Sequence, residues 1–151
     1  MQDWIVSHEP WLRLGAFAGV LLAMLAAEAL WPRRAGPMLR PLRWGANLSI
    51  VAVDALLVRL LIPLGAAGVA AWAGTHGYGL FARLDWPGAA EAALSFLALD
   101  ALIYWQHRLF HRIPWFWRLH RMHHSDVEFD ATTGVRFHPV EILVSMLIKM
   151  G

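Results

Sequence analysis

Three long apolar stretches limit what this chain can fold into. The first, residues 12–30, contains only two charged side chains, Arg13 and Glu28. The second covers about residues 46–72 and the third about residues 89–104. A helix needs about 20 predominantly apolar residues to cross the hydrocarbon core of a bilayer. We therefore predict an all-α protein, an integral membrane helical bundle with about three crossings.

The composition agrees with a membrane protein. Of the 151 residues, 58% are hydrophobic and 16% are charged, whereas soluble proteins carry roughly 25% charged residues. The first stretch is predicted to be a retained helix, because Asp3 and Glu9 precede it where a cleaved signal would have basic residues. The second stretch is long for one straight crossing, so we expect it to bend at Pro63. From Val140 onward the sequence starts a fourth apolar segment.

The basic residues predict an orientation. Arginines are frequent in a linker of residues 32–44 and again in residues 106–124, whereas residues 1–10 have none and residues 74–87 have only Arg83. Cytoplasmic segments of membrane proteins carry an excess of Lys and Arg. We therefore expect the N-terminus outside and the helices of residues 106–124 on the cytoplasmic side, in what the composition indicates is a bacterial inner membrane.

Composition also excludes several kinds of site and divides the chain. There are no cysteines, so disulfides, thiolate zinc sites and iron–sulfur clusters are excluded and any bound metal needs nitrogen or oxygen ligands. The net charge is +2 and the basic residues lie beside apolar segments, so we expect no nucleic-acid partner. We predict an N-terminal helix with its basic linker, residues 1–44, followed by a domain covering residues 45–151.

Five histidines lie within eighteen positions, in HRLFHRIPWFWRLHRMHH. His107 and His111 are four residues apart and would share one face of a helix, and the group that starts at His120 would share a second face. Pro114 lies between the two groups and predicts a bend or a helix end, so that both groups can face one point. Neutral imidazole is a common ligand of iron, zinc and copper. The sequence therefore predicts a metal site made of His107, His111, His120, His123 and His124.

Three further residues lie near this site in the sequence. His138 precedes Pro139 in RFHPVE and is either an additional ligand or part of a helix cap. Glu141 suits the first turn of the helix that follows. Asp100 lies seven residues before His107 and would either hydrogen-bond a ligating histidine or pair with Arg59.

The three histidine motifs resemble the fatty acid hydroxylase/sterol desaturase superfamily. The motifs are HRLFH from His107, HRMHH from His120 and RFHPVE from Arg136, and the resemblance runs from about residue 45 to the end. It implies a membrane-bound, non-haem di-iron enzyme that uses O2 and external electrons to hydroxylate or desaturate a fatty acyl chain or a sterol. The residues it implies as metal ligands are His107, His111, His120, His123, His124 and His138, with Asp100 and Glu141 beside them.

The resemblance also carries expectations about completeness and partners. The family pattern has a further HxxHH group downstream, and this sequence ends at Gly151 before such a group. We therefore expect the N-terminal portion of such an enzyme, with impaired activity by itself. Because no GxGxxG or P-loop motif is present, the electrons are expected from a separate reductase or carrier.

The residues by themselves leave alternatives. Zinc binds an all-nitrogen ligand set as readily as iron does, so a membrane protein that binds zinc or copper without catalysis is the competing interpretation. Haem held by two histidines is disfavoured, because His107 and His111 lie on one helical face. Fatty acid, sterol, sphingolipid, alkylglycerol and carotenoid substrates fit equally well, and the sequence predicts no particular oligomeric state.

Overall fold

The computed structural model describes residues 2–32, 40–81 and 86–151, and this part of the chain is helical, without strands. Its α-helices are α1 (Gln2–Leu30), α2 (Arg40–Leu61), α3 (Gly65–Thr75), α4 (Gly88–Arg112), α5 (Pro114–His120) and α6 (Pro139–Met150). Short 3-10 turns occur at His123–Ser125 and Thr133–Val135. The all-α prediction is confirmed. Residues 33–39 of the predicted basic linker and Arg83 lie outside the described residues.

Three helical segments are long and apolar enough to cross a membrane. They are Ser7–Leu30 with a mean hydropathy of 1.7, Arg40–Thr75 with 2.1 and Gly88–Arg112 with 1.3. At most 6% of the most apolar window of each segment is buried inside the protein. Because these apolar side chains point outward, the segments suit a lipid environment, and the prediction of about three crossings in an integral membrane protein is confirmed.

Two helices start earlier than the sequence predicted. Helix α1 begins at Gln2 and contains Pro10, and an ion pair of 3.0 Å between Arg13 and Glu9 on successive turns supports its first part. Helix α2 begins at Arg40, so residues 40–44 form a helical turn where we had predicted linker. Helix α2 can begin before Pro41, because proline is tolerated in the first turn of a helix, where its missing N–H would have no helical acceptor.

The second apolar stretch breaks at Pro63, as predicted. Helix α2 ends at Leu61 and α3 begins at Gly65, whose φ of 59° is a conformation that glycine adopts without strain. The Gly65 N–H donates to the carbonyl of Ile62 at 3.0 Å. Since Pro63 has no N–H to continue the helical ladder, the segment is divided into two helices.

A second proline break turns α5 back against the end of α4. Ile113 is extended, with φ −90° and ψ 120°, and Pro114 is the first residue of α5. The Phe110 ring is 1% exposed and stacks on Phe116 with ring centroids 4.8 Å apart. This stack holds the short helix on the long one, and the predicted bend at Pro114 is confirmed.

The interior of the described chain is mostly polar. Leu25 and Phe110 are its buried hydrophobic side chains, and the buried polar ones are Asn47, Asp54, His120, Thr132, Thr133, Glu141 and Ser145. Helix α6 packs against α2 and α4, and Gln106 of α4 donates to the Ser145 hydroxyl at 2.8 Å. Buried polar groups are usually hydrogen-bonded, and specific polar contacts of this kind connect the elements of the interior, for example between His120 and Glu141.

Candidate metal centre

Four imidazoles meet where α4, α5 and the following turn come together. The ligand nitrogens of His107, His111, His120 and His124 all lie within 4.8 Å of one another. The Nε2 atoms of His107 and His111 are 3.1 Å apart, and those of His120 and His124 are 3.2 Å apart. Nitrogens about 2.0–2.1 Å from one tetrahedral ion lie roughly 3.3 Å from each other. The spacing therefore fits a shared metal ion.

The turn at Pro114 brings the two pairs together. His107 and His111 occupy the last turns of α4, and His120 is the last residue of α5. The ring centroid of His120 lies 4.7 Å from that of His107 and 4.8 Å from that of His111. On one continuous helix the two groups would point in nearly opposite directions, so the break is what creates the site.

Glu141 fixes the orientation of His120. The carboxylate Oε1 lies 2.6 Å from His120 Nδ1, and the two side chains are 5% and 0% exposed. One proton is shared between these atoms. A cation at Nε2 requires that proton to be on Nδ1, and a hydrogen-bonded carboxylate is the arrangement that holds a metal-binding imidazole in this tautomer.

Burial shifts the pKa values of His120, His124 and Glu141 in the direction that favours their neutral forms. Burial lowers the pKa of His120 to about 4, and the imidazoles of His111 and His123 act in the same direction. Burial also lowers the pKa of His124, helped by the surrounding histidines. Burial raises the pKa of Glu141 to about 7, although His123 and His138 oppose the rise. Imidazole must be neutral to bind a metal, so His120 and His124 are ready for it at neutral pH.

His123 occupies a different place from its neighbours. Helix α5 ends at His120 and a 3-10 turn begins at His123. The prediction that all three histidines of HRMHH share one helical face assumed a continuous helix, and the motif does not form one. The His123 ring stacks on Phe137 with centroids 4.8 Å apart. Its Nδ1 is buried without a hydrogen-bond partner among the described residues. Buried polar atoms usually have a hydrogen-bond partner, so this nitrogen is one of the few exceptions in the described residues, next to the group of four imidazoles.

The structure places the other predicted residues away from the four nitrogens. His138 is the N-cap of α6, and its Nδ1 accepts the N–H of Val140 at 3.2 Å, which leaves the proton of the neutral ring on Nε2. Asp100 is exposed, and among the described residues it makes no side-chain hydrogen bond or ion pair, whether with His107 or with Arg59. The structure therefore brings Glu141 to the histidines but not Asp100.

The sequence analysis missed the residues of α2 that contact the segment after the histidines. Arg43 and Asn47 hydrogen-bond Asp126 across more than 75 positions of sequence, at 2.9 and 3.0 Å. Asp54 is buried with both carboxylate oxygens unpaired among the described residues. The acidic run DVEFD directly after the histidine motif could have indicated this contact. Its negative charge is opposite to that of the basic linker.

Comparison with known proteins agrees with this site. Residues 92–151 match the fatty acid hydroxylase family, and this range contains all six predicted histidine ligands. The zebrafish (Danio rerio) alkylglycerol monooxygenase is 36% identical over 56 residues, 37% of this chain and 13% of that protein. The frog (Xenopus tropicalis) enzyme of the same name is 36% identical over 54 residues, 36% of this chain and 12% of that protein. The human (Homo sapiens) enzyme is 31% identical over 70 residues, 46% of this chain and 16% of that protein.

The family match includes the three histidine motifs. Residues 92–151 match the fatty acid hydroxylase family, and the predicted resemblance to the fatty acid hydroxylase/sterol desaturase superfamily is confirmed. The alignments cover between 12% and 16% of the lengths of these relatives. No solved structure matches the chain. The matched range begins inside the membrane-length helix Gly88–Arg112 and includes the histidine cluster.

Proposed function

We propose that this chain supplies a histidine-ligated iron site for the oxygen-dependent hydroxylation or desaturation of a membrane lipid. The observation that carries the proposal is the group of four imidazole nitrogens within 4.8 Å, placed at the end of the membrane-length helix Gly88–Arg112. Zinc and copper proteins use imidazole as well. The match of residues 92–151 to the fatty acid hydroxylase family favours iron and lipid oxidation.

Each histidine has a proposed role. His107, His111, His120 and His124 bind the first ion, and Glu141 holds His120 in the tautomer that leaves Nε2 free. The unpaired Nδ1 of His123 is available to a second ion of a di-iron centre, and His138 could join it only by releasing the cap of α6. Four nitrogens are enough for one ion, so a second ion needs these additional ligands.

The proposed hydroxylation needs O2 and externally supplied electrons. Iron held by these nitrogens would supply the oxidant that side chains cannot provide. In hydroxylation, one atom of O2 enters a C–H bond of the lipid and the other leaves as water, with two electrons from an external reductant and two protons. The protein's residues place the site at the end of a membrane-length helix, where a lipid can approach from the side.

An apolar cavity beside the histidines is the proposed place for the hydrocarbon chain. It has a volume of about 180 Å³ and is lined by Ser49, Ile50, Val53, Met122 and Pro139. Met122 lies directly before the 3-10 turn His123–Ser125, which we call the metal-binding turn, so the cavity lies next to that turn. The hydroxyl of Ser49 donates to the Gly45 carbonyl at 2.7 Å, which leaves little unsatisfied polarity in the lining. Apolar chains are favoured in such a site.

Alkylglycerols are the first substrates to test, because the three relatives are alkylglycerol monooxygenases. The chain would be purified in lipid nanodiscs, loaded with Fe²⁺ without oxygen, and then given an alkylglycerol, O2 and a chemical reductant. We expect an oxidised lipid that forms with wild type and with His76→Ala, whose exposed imidazole lies outside the cluster, but not with His120→Ala. Retained metal with no lipid product from alkylglycerols, fatty acyl lipids or sterols would favour the non-catalytic alternative.

A further inference from the structure

A single arginine holds the segment that follows the metal-binding turn. We call residues 125–136 the acidic loop. The guanidinium of Arg43, in the first turns of α2, donates to both carboxylate oxygens of Asp126, each at 2.9 Å. It also donates to Glu128 Oε2 at 3.0 Å and to the Glu128 carbonyl, and it lies 3.1 Å from Asp130 Oδ2. Five oxygen atoms of the loop therefore surround one cation.

These charges are withdrawn from solvent and their hydrogen bonds are largely satisfied. The side chains of Arg43 and Asp126 are 11% and 3% exposed. Asp126 Oδ2 also accepts from Asn47 at 3.0 Å and from the Thr133 hydroxyl at 2.7 Å. Asp130 Oδ2 accepts from the indole of Trp44 at 3.1 Å. Ion pairs with so little exposure are weakly screened by solvent. Removing the cation would leave three carboxylates close together with only neutral hydrogen-bond donors beside them.

The loop is tied down at both of its ends. Asp126 lies two residues after His124, and Arg136 lies two residues before His138. The guanidinium of Arg136 donates to Asn47 Oδ1 at 3.3 Å and to the Ser125 hydroxyl at 3.2 Å. Helix α2 thus contacts the loop directly after the HRMHH motif and again before RFHPVE.

The metal-binding turn has little support of its own. The 3-10 helix His123–Ser125 has no side-chain cap, and its backbone bond from Ser125 to Met122 is 3.3 Å long. A turn of three residues cannot hold two histidines in place by itself. Contacts around the turn therefore help to hold His123 and His124. They include the end of α5, the Phe137 ring that stacks on His123, and the acidic loop, which Arg43 contacts through Asp126.

We propose that Arg43 is a positioning residue for the metal centre: its guanidinium is the built-in cation around which the acidic loop folds, and the folded loop keeps His124 against His107, His111 and His120. This inference rests on the proposed metal-binding function. Among the described residues Arg43 makes no hydrogen bond to the histidines, and it acts through Asp126. Lysine cannot replace it, because an ammonium lacks the planar fork that bonds both oxygens of a carboxylate.

The test uses the 151-residue chain in nanodiscs with Co²⁺, whose visible absorption reports both binding and ligand geometry. Arg43→Ala and Arg43→Lys are compared with Arg40→Ala, which removes the same charge one turn earlier. Hydrogen exchange is measured in parallel on residues 120–124 and 125–136. Ethylguanidinium and ethylammonium are then added to Arg43→Ala, because a small guanidinium can refill the space that the side chain leaves.

We expect Arg43→Ala and Arg43→Lys to weaken Co²⁺ binding at least tenfold and to speed exchange in both segments. Ethylguanidinium should restore both properties to Arg43→Ala and ethylammonium should not, while Arg40→Ala behaves as wild type. Unchanged Co²⁺ binding or unchanged loop exchange in Arg43→Ala would overturn the proposal, as would equal rescue by the two cations.

Two further observations keep this test decisive. If Arg43→Ala does not fold, Asp130→Asn removes one partner of the same guanidinium and should show a smaller effect in the same direction; no effect there would count against the proposal. If the wild-type chain binds no Co²⁺, the proposed metal centre fails. Exchange of residues 120–124 and its rescue by ethylguanidinium would then still decide whether Arg43 holds the histidine turn.

Discussion

His120 Nδ1 and Glu141 Oε1 lie 2.6 Å apart in the interior, joining the end of α5 to the first turn of α6. This contact links two motifs that are separate in sequence, HRMHH and RFHPVE. It also determines which nitrogen of His120 faces the other imidazoles. The carboxylate therefore contributes to the site without belonging to the four-nitrogen group.

Replacing Glu141 should separate its orienting role from its contribution to packing. Glu141→Ala leaves the Nδ1–H of His120 without an acceptor, and losing such a partner of a metal ligand costs about 10–100-fold in metal affinity. Glu141→Gln keeps a carbonyl oxygen and should retain most of the affinity. Co²⁺ titration of both variants measures this. Equal affinity of Glu141→Ala and wild type would show that the contact does not orient the ligand.

Phe110→Ala should destabilise the fold and the site together. Phe110 is 1% exposed, and deleting a buried phenylalanine ring costs about 3–5 kcal/mol. Phe96 lies on the same helix and is 72% exposed, so Phe96→Ala is the matched control, with an expected change within about 0.5 kcal/mol. Thermal unfolding in nanodiscs compares the two. Similar losses from both would mean that α5 is not held by the Phe110–Phe116 stack.

Lowering the pH should remove the stability that the ionised carboxylate of Asp130 contributes to the acidic loop. Burial acts to raise the pKa of Asp130, but hydrogen bonds from Thr132 and Trp44 and the charge of Arg43 outweigh it, so the pKa lies below its ordinary value of 3.8. The charged form is thus favoured by folding. Its contribution is present above about pH 3.8 and is lost as the pH falls through the lower, folded value.

The difference between wild type and Asp130→Asn isolates this effect, because other charged groups face the same place. They are Arg43 from α2, Glu28 from α1, and Asp126, Glu128 and Arg136 from the loop. Near pH 7 the wild type should be more stable by about 1.5–3 kcal/mol, the usual value for hydrogen bonds to a charged group. The difference should shrink below pH 3.8. A difference that stays constant down to pH 2.5 would contradict the assignment.

Local sequence rules predicted the helices and the breaks between them. Pro63 and Pro114 act on their own neighbourhood, since each lacks an N–H and restricts the residue before it. Once the chain turns at Pro114, the spacing of His107, His111 and His120 brings them to one place. The convergence of the histidines was therefore predictable in outline.

The contacts that depend on tertiary packing were not predictable in this way. Arg43 and Asp126 are 83 positions apart, and the sequence places Arg43 among arginines that suit a membrane interface. The orientation of His123 was also missed, because a pattern of three and four residues assumes that the helix continues beyond His120. Both differences have one cause: contacts with α2 and α6 decide the path of the chain after α5.

Metal analysis of the purified chain combined with X-ray absorption at the iron edge tests the histidine site most directly. We predict at least one iron per chain with nitrogen ligands. The iron should be retained in His8→Ala/His76→Ala, whose imidazoles lie against Trp4 and Trp72. His120→Ala/His124→Ala should lose the iron. Equal amounts of iron in the two double variants would contradict a metal centre at these histidines. The absence of iron from all three proteins, wild type included, would contradict it as well.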